Sequence, residues 1–221
     1  LKIGSGELTN LPLLAHIARK KRPIILSTGM AGLREVGAAV RAIRRAGNDR
    51  LVLLHCVSQY PADPSTVNLR AMETLRKRFR TPVGFSDHTR GIEAAIGAAA
   101  LGAAVIEKHL TLDRKMPGPD QRASLEPREL AAMVYAIRVV QAALGDGRKK
   151  PQAAELKVAA VARKSLVAAR AIRKGARLQE SDIAIKRPGT GLPPSQMRAV
   201  LGRVAKAGIP EGAVIKAGMF K

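Results

Sequence analysis

Leu51-Val-Leu-Leu-His-Cys-Val57, then helical periodicity from Thr66 to Phe79, then Pro82-Val-Gly-Phe-Ser86, make one strand–helix–strand unit. Seven residues are too few for a buried helix, and the run does not alternate polar with apolar. It reads as a strand covered on both faces, the habit of parallel sheets. Working outward, the same short apolar runs recur at Leu1 to Gly4, Pro23 to Ser27 and Ala104 to Leu110. Helical patterns separate and follow them at Leu11 to Lys20, Leu33 to Ala46, Gly91 to Leu101 and Pro127 to Leu144. The last helix has a start signal in Ser124-Leu-Glu-Pro-Arg-Glu and stops at Gly145. Repeated strand–helix units imply an α/β fold with a parallel sheet and right-handed crossovers, either half an open sheet or most of a closed (β/α)8 barrel.

After Gly145 the pattern changes. Gly145-Asp-Gly-Arg-Lys-Lys-Pro-Gln152 has linker composition. Beyond it, Val161 to Ala168, Ile183 to Lys186 and Val214 to Lys216 read as short strands, with helical signal only at Glu180 to Ile183 and Pro194 to Val200. The expected organisation is a barrel portion at 1–145, a linker at 146–159 and a small β-rich module at 160–221.

The 221 residues carry 39 Lys and Arg against 17 Asp and Glu, a net charge of +22 that would suit nucleic acid. Only 2% of residues are aromatic, so base-stacking platforms are poorly supplied. The cations are spread over helix ends and outer faces, and a basic nucleic-acid-binding protein is the weaker reading. No apolar run approaches the roughly 18 residues of a membrane span. Cys56 has no partner for a disulfide, which points to a reducing cytoplasm. The sequence opens with Leu1 inside a strand-to-loop junction, so the chain reads as a fragment.

Polar residues gather where the strands end: Ser5 and Glu7, Ser27, Ser58 and Tyr60, Ser86 and His88, His109. In a barrel these all fall on the C-terminal rim, where active sites lie. His16 sits on a helix pattern and reads as surface or packing. His55, inside an apolar run, reads as a satisfied buried histidine. His88 and His109 end consecutive strands about 4.8 Å apart, so two imidazoles at one rim can share a divalent metal with open positions. Lys2, Ser5, Ser27 and Ser86 combine one cation with several hydroxyls, a set that either surrounds a phosphate or serves local capping.

Six motifs bring a family resemblance into view: Lys2-Ile-Gly-Ser-Gly-Glu7, Ile25-Leu-Ser-Thr-Gly-Met30, Leu54-His-Cys-Val-Ser-Gln-Tyr-Pro61, Gly84-Phe-Ser-Asp-His-Thr89, Glu107-Lys-His-Leu-Thr-Leu-Asp113 and Pro117-Gly-Pro-Asp120. In order and spacing they resemble the N-acetylneuraminate (sialic acid) synthase family. Val161-Ala-Arg-Lys-Ser165 and Lys186-Arg-Pro-Gly-Thr-Gly191 resemble its antifreeze-like, or SAF, domain. The resemblance implies a partial (β/α)8 TIM barrel, strands four to eight, followed by the SAF domain, in a domain-swapped homodimer. The implied reaction condenses phosphoenolpyruvate with N-acetylmannosamine or a related N-acyl sugar, giving a nine-carbon 2-keto acid and phosphate. A legionaminic or pseudaminic acid synthase is the alternative within the class.

By the same resemblance, Lys2, Ser5, Ser27, Ser58 and Ser86 contact phosphoenolpyruvate, with Ser58 standing where some relatives have Asn. His88 and His109 ligate a divalent metal, manganese in the first place, with magnesium or cobalt as possible substitutes. Glu7, Tyr60 and Asp120 line the reacting centre and the acceptor sugar, and Arg187 reaches the partner subunit's sugar. With three strands missing, the chain alone is expected to be inactive or nearly so.

Overall fold

A computed structural model describes all 221 residues, which divide into two compact units, Leu1–Gly147 and Arg148–Lys221. In the first unit five strands, β1 (Lys2–Ile3), β2 (Ile24–Ser27), β3 (Leu51–Cys56), β4 (Val83–Asp87) and β5 (Ile106–Lys108), form one parallel sheet in chain order. Between and after them come α1 (Leu11–Arg19), α2 (Leu33–Arg45), α3 (Ala71–Phe79), α4 (Glu93–Ala100) and α5 (Pro127–Leu144). All five expected strands are present, four within the expected runs and β4 one residue past its run, at Asp87.

Strand order that never reverses separates a barrel segment from a doubly wound sheet, which has a switch point. The neighbouring helices α1 and α2, α2 and α3, and α4 and α5 pack on one another, as a single outer layer requires. Curvature follows from one ion pair. Lys2 Nζ on β1 lies 3.4 Å from Glu107 Oε2 on β5, although these are the two edge strands. In a flat sheet four strand spacings would hold them roughly 19 Å apart, beyond the reach of two side chains. The sheet is therefore curled, with these side chains meeting inside the curve.

Alternation along each strand then sorts the residues by face. Ile3, Ile24, Leu26, Leu53, Val83 and Phe85 are buried in the main core with Leu14, Val36, Val40, Ile43, Met72 and Leu75 of the helices. Lys2, Ser27, Cys56, Ser86 and Glu107 occupy the opposite phase, the concave side. A second small cluster joins Ala95, Leu125 and Met133, seating α5 on α4. Pro127 starts α5, and the Glu129 carboxylate accepts from the Glu126 backbone N–H at 2.9 Å.

Part of the excess positive charge has a structural task. Lys21, after α1, donates to the carbonyls of Ala46 and Gly47 at the end of α2 (3.2 and 2.5 Å). Arg44 on α2 donates to Phe79 O at the end of α3 (2.8 Å), and Arg76 on α3 to Gly102 O beyond α4 (2.9 Å). The orphan carbonyls at the C-terminal ends of α2, α3 and α4 are thus met by a cation from the preceding unit, which also opposes the helix dipole. Arg44→Met is expected to cost about 1 kcal/mol. Thermal unfolding checks it; an unchanged midpoint would refute the capping role.

The second unit holds α6 (Ala153–Ala162), the antiparallel pair β6 (Ser165–Ala168) and β7 (Ile183–Lys186), and the single turn α7 (Met197–Val200). Its core is Leu166, Ile172, Leu178, Val200, Ile209, Ile215 and Phe220. Three expectations need correction. The stretch 146–159 is not linker throughout: Ala153-Ala-Glu-Leu-Lys-Val-Ala-Ala-Val-Ala162 is rich in helix formers, and Glu155 accepts from Gln152 N at 2.6 Å. That helix also takes Val161 and Ala162 from the expected strand, which begins at Ser165. Val214 makes only an isolated bridge with Val167, so Val214 to Lys216 is not a strand.

Candidate active site

The concave side opens into a cavity of about 480 Å3 at the C-terminal ends of the strands. Every strand contributes: Lys2 from β1, Ser27 from β2, Cys56 from β3, Ser86 from β4 and Glu107 from β5. Ser5, Ser58, Tyr60, His88 and His109 enter from the loops that follow them. Eight of the residues singled out in the sequence, Lys2, Ser5, Ser27, Ser58, Ser86, Tyr60, His88 and His109, are therefore together.

Three are placed otherwise. Glu7 is exposed on the turn that carries Ser5, accepts from Asn10 Nδ2 at 2.9 Å, and does not line the cavity. Asp120 stands beside the site, with Oδ2 3.7 Å from His109 Nδ1. Arg187 belongs to the second unit, exposed just after β7.

At the Lys2 end, Ser86 Oγ donates to Glu107 Oε1 at 2.7 Å, while Glu107 Oε2 pairs with Lys2. Ser5 Oγ accepts from Gly29 N at 2.9 Å. A Cβ at Gly29 would lie 2.8 Å from Ser5 Oγ and closer still to Ser58 Oγ, so only glycine lets these hydroxyls crowd there. Ser27 Oγ is buried with no hydrogen-bond partner, a group that costs free energy until something meets it. A bound oxyanion would do so.

At the other end, the His88 ring lies 5.2 Å from the His109 ring, and Tyr60 stacks on His88 at 4.1 Å. His88 Nδ1 is 2.7 Å from Val57 O. A carbonyl only accepts, so Nδ1 keeps the proton and Nε2 keeps the lone pair, the form a metal ligand needs. Burial pulls the His88 imidazole down, but the contacts with Cys56 and the Val57 carbonyl outweigh it and leave a net rise. Burial pushes the Cys56 thiol up, and the partners His88 and Ser5 more than reverse it. Burial, helped by the charges of Cys56, Asp120 and Glu107, raises the Tyr60 hydroxyl.

A divalent ion fits this donor set. Rings 5.2 Å apart suit two nitrogens each about 2.1 Å from one ion. No three His, Cys, Asp or Glu side chains cluster as ligands, so further positions would fall to oxygens of a substrate or water.

Glu107 is the residue that sequence reasoning passes over, because it reads there as the charged end of an apolar run. Strand parity carries the missing signal: Glu107 and His109 are two apart, as are Ser86 and His88, so each pair shares a face. His55 is satisfied as expected, with Nε2 2.7 Å from Val67 O on the helix side, but it is only half-buried; His16 is exposed on α1.

Residues 1–149 match the model of the NeuB family, and residues 163–221 match the SAF domain. The chain belongs to the NeuB family. This NeuB-family chain is 47% identical over 206 residues to N,N'-diacetyllegionaminic acid synthase of Legionella pneumophila, covering 91% of this chain and 58% of that protein. It is 47% identical to the enzyme of the same name from Campylobacter jejuni, covering 97% and 65%. Among solved structures, the N-acetylneuraminic acid synthetase of Leptospira borgpetersenii, bound to citrate, is similar with TM-score 0.66 and 40% identity over 72% of this chain and 55% of that one. The chain thus spans about three-fifths of the curated relatives it matches.

Proposed function

We propose that this chain supplies barrel strands four to eight and the SAF domain of a synthase that condenses phosphoenolpyruvate with an N-acyl sugar of the N-acetylmannosamine type. The observation that carries the reading is the single cavity in which a cation, four serines and a histidine pair face one another. Phosphoenolpyruvate is multiply anionic and small, and its charges match Lys2 and the hydroxyls of Ser5, Ser27, Ser58 and Ser86. Two imidazoles lie at the other end of the same cavity, where an aldehyde would meet the enol carbon.

Chemically, C3 of the enol attacks the aldehyde carbon, C2 becomes electron-poor, water adds there, and phosphate leaves by C–O cleavage. His88 and His109 would hold a divalent ion, manganese or else magnesium or cobalt, which would supply polarisation of the aldehyde oxygen. Glu107, anchored by Ser86 and Lys2, sets a negative charge where C2 becomes positive. Lys2 and the serines hold the phosphate in place and receive its growing charge as the bond breaks. Tyr60, resting on His88, is assigned to the acceptor sugar and the reacting centre at that end of the cavity. Glu7, on the exposed side of the turn that carries Ser5, and Asp120, beside His109, are assigned to the acceptor sugar and the reacting centre. Arg187 is assigned to the sugar's N-acyl group across a homodimer, from one protomer's SAF domain to its partner's site. The lone buried thiol of Cys56 suits a cytoplasmic enzyme.

Phosphate release tests the reading. The chain within its full reading frame, given manganese, phosphoenolpyruvate and a panel of N-acyl hexosamines, is expected to release one phosphate per keto acid formed. Phosphate appearing without any sugar, or none with every sugar, would contradict it.

A further inference from the structure

Asp87 and Lys108 form an ion pair with no solvent contact to speak of, at 0% and 1% side-chain exposure and 2.8 Å. They are register partners at the last rung between β4 and β5, and each immediately precedes one of the two histidines. Parity turns them to the helix side while His88 and His109 face the cavity. Lys108 Nζ makes a second bond, 2.5 Å to Thr89 O, and Asp87 Oδ1 accepts from both Thr89 N and Thr89 Oγ1 at 2.8 Å. The ammonium therefore grips the two residues that flank His88.

Apart from that grip, no ladder bond past the Asp87–Lys108 rung ties the His109 backbone to β4, the strand that leads into His88. β5 has three residues and lies at the sheet edge, and past Lys108 the chain leaves the ladder: His109 O accepts from Leu125 N at 2.9 Å, a bond to the segment before α5 and not to β4. β4 by contrast continues its pairing, with Ala62 N bonded to His88 O at 2.8 Å. Besides the 3.7 Å approach of Asp120, the His109 ring has only the edge-on contacts of Tyr60 at 5.6 Å and His88 at 5.2 Å, none of which is a hydrogen bond. A buried ion pair is a poor source of net stability compared with apolar residues of the same shape, so its presence here calls for a different account.

We infer that Asp87 and Lys108 are positioning residues: their buried pair clamps β5 to β4 so that His88 and His109 are held ring to ring. The metal side of this rests on the two-histidine reading above; the ring geometry does not. The test is the double variant Asp87→Asn, Lys108→Met, which keeps the shapes and leaves no unpaired buried charge. It is expected to melt close to the parent chain. Nuclear Overhauser signals from His109 to the His88 and Tyr60 rings, present in the parent, should disappear. Manganese binding, followed by loss of the free-ion resonance, should weaken roughly 10–100-fold, the usual effect of removing an outer partner of a ligand. Unchanged Overhauser signals would overturn the assignment. So would a double variant that unfolds, because the pair would then be holding the fold rather than the site. If the parent chain binds no manganese while the variant's ring signals vanish, the metal reading is refuted and the clamp stands.

Discussion

Gly84→Ala is expected to destabilise the first unit by about 4 kcal/mol, a large share of the 5–15 kcal/mol typical of a domain. Gly84 lies inside β4 with its missing Cβ aimed at the neighbouring strand. A methyl there would be 2.7 Å from Leu54 Cδ2, 2.9 Å from Val105 Cβ, and nearer still to Val105 O. The carbonyl is backbone and cannot swing away. It accepts from Phe85 N at 2.8 Å, so separating β5 from β4 would also strand a buried donor. At this chain length the loss corresponds to a midpoint roughly 8–16 °C lower. Gly6→Ala is the control, since nothing lies within 4 Å of a Cβ there, and it should leave the midpoint where it is. Equal midpoints for both variants would show that β5 is not packed as described.

Lys2→Met is expected to weaken phosphoenolpyruvate binding about 10–150-fold. A hydrogen bond between charged groups contributes about 1.5–3 kcal/mol, and the substitution also removes Glu107's cation, leaving a carboxylate to repel the incoming anion. Titration calorimetry reads this directly, with Lys20→Met, exposed at the end of α1, as a control for net charge. If both variants weaken binding alike, the anion is held by the general positive field and not by this site. The steepness with added salt separates the same two cases, because a field effect is screened while a contact inside the cavity is screened less.

Much of the fold was legible because parallel strands buried on both faces leave short unbroken apolar runs, and five such runs are hard to mistake for anything else. The site was legible as a set of residues that end those runs. Composition misled at Gly145 to Gln152, whose glycines and charges spread a linker reading over residues that form α6. Glu107 stayed hidden because a charge at the end of an apolar run resembles a boundary; parity with His109 turns it inward, and its pairing across the curl with Lys2 bears that out. The Asp87–Lys108 pair was invisible for a related reason. Both neighbour recognisable histidines, and nothing in a linear sequence says that the alternate residues are buried against each other. Glu7 shows the reverse: a motif position that looked central lies on the exposed side of its turn.

Phosphoenolpyruvate labelled with 18O at its bridging oxygen tests the central claim most directly. The chain within its full reading frame, with manganese and an accepted N-acyl sugar, is predicted to deliver the label into inorganic phosphate, one phosphate for each nine-carbon keto acid. Label retained at C2 of the keto acid would mean that the P–O bond breaks instead, and the cavity chemistry built on Lys2, the serines and Glu107 would be wrong.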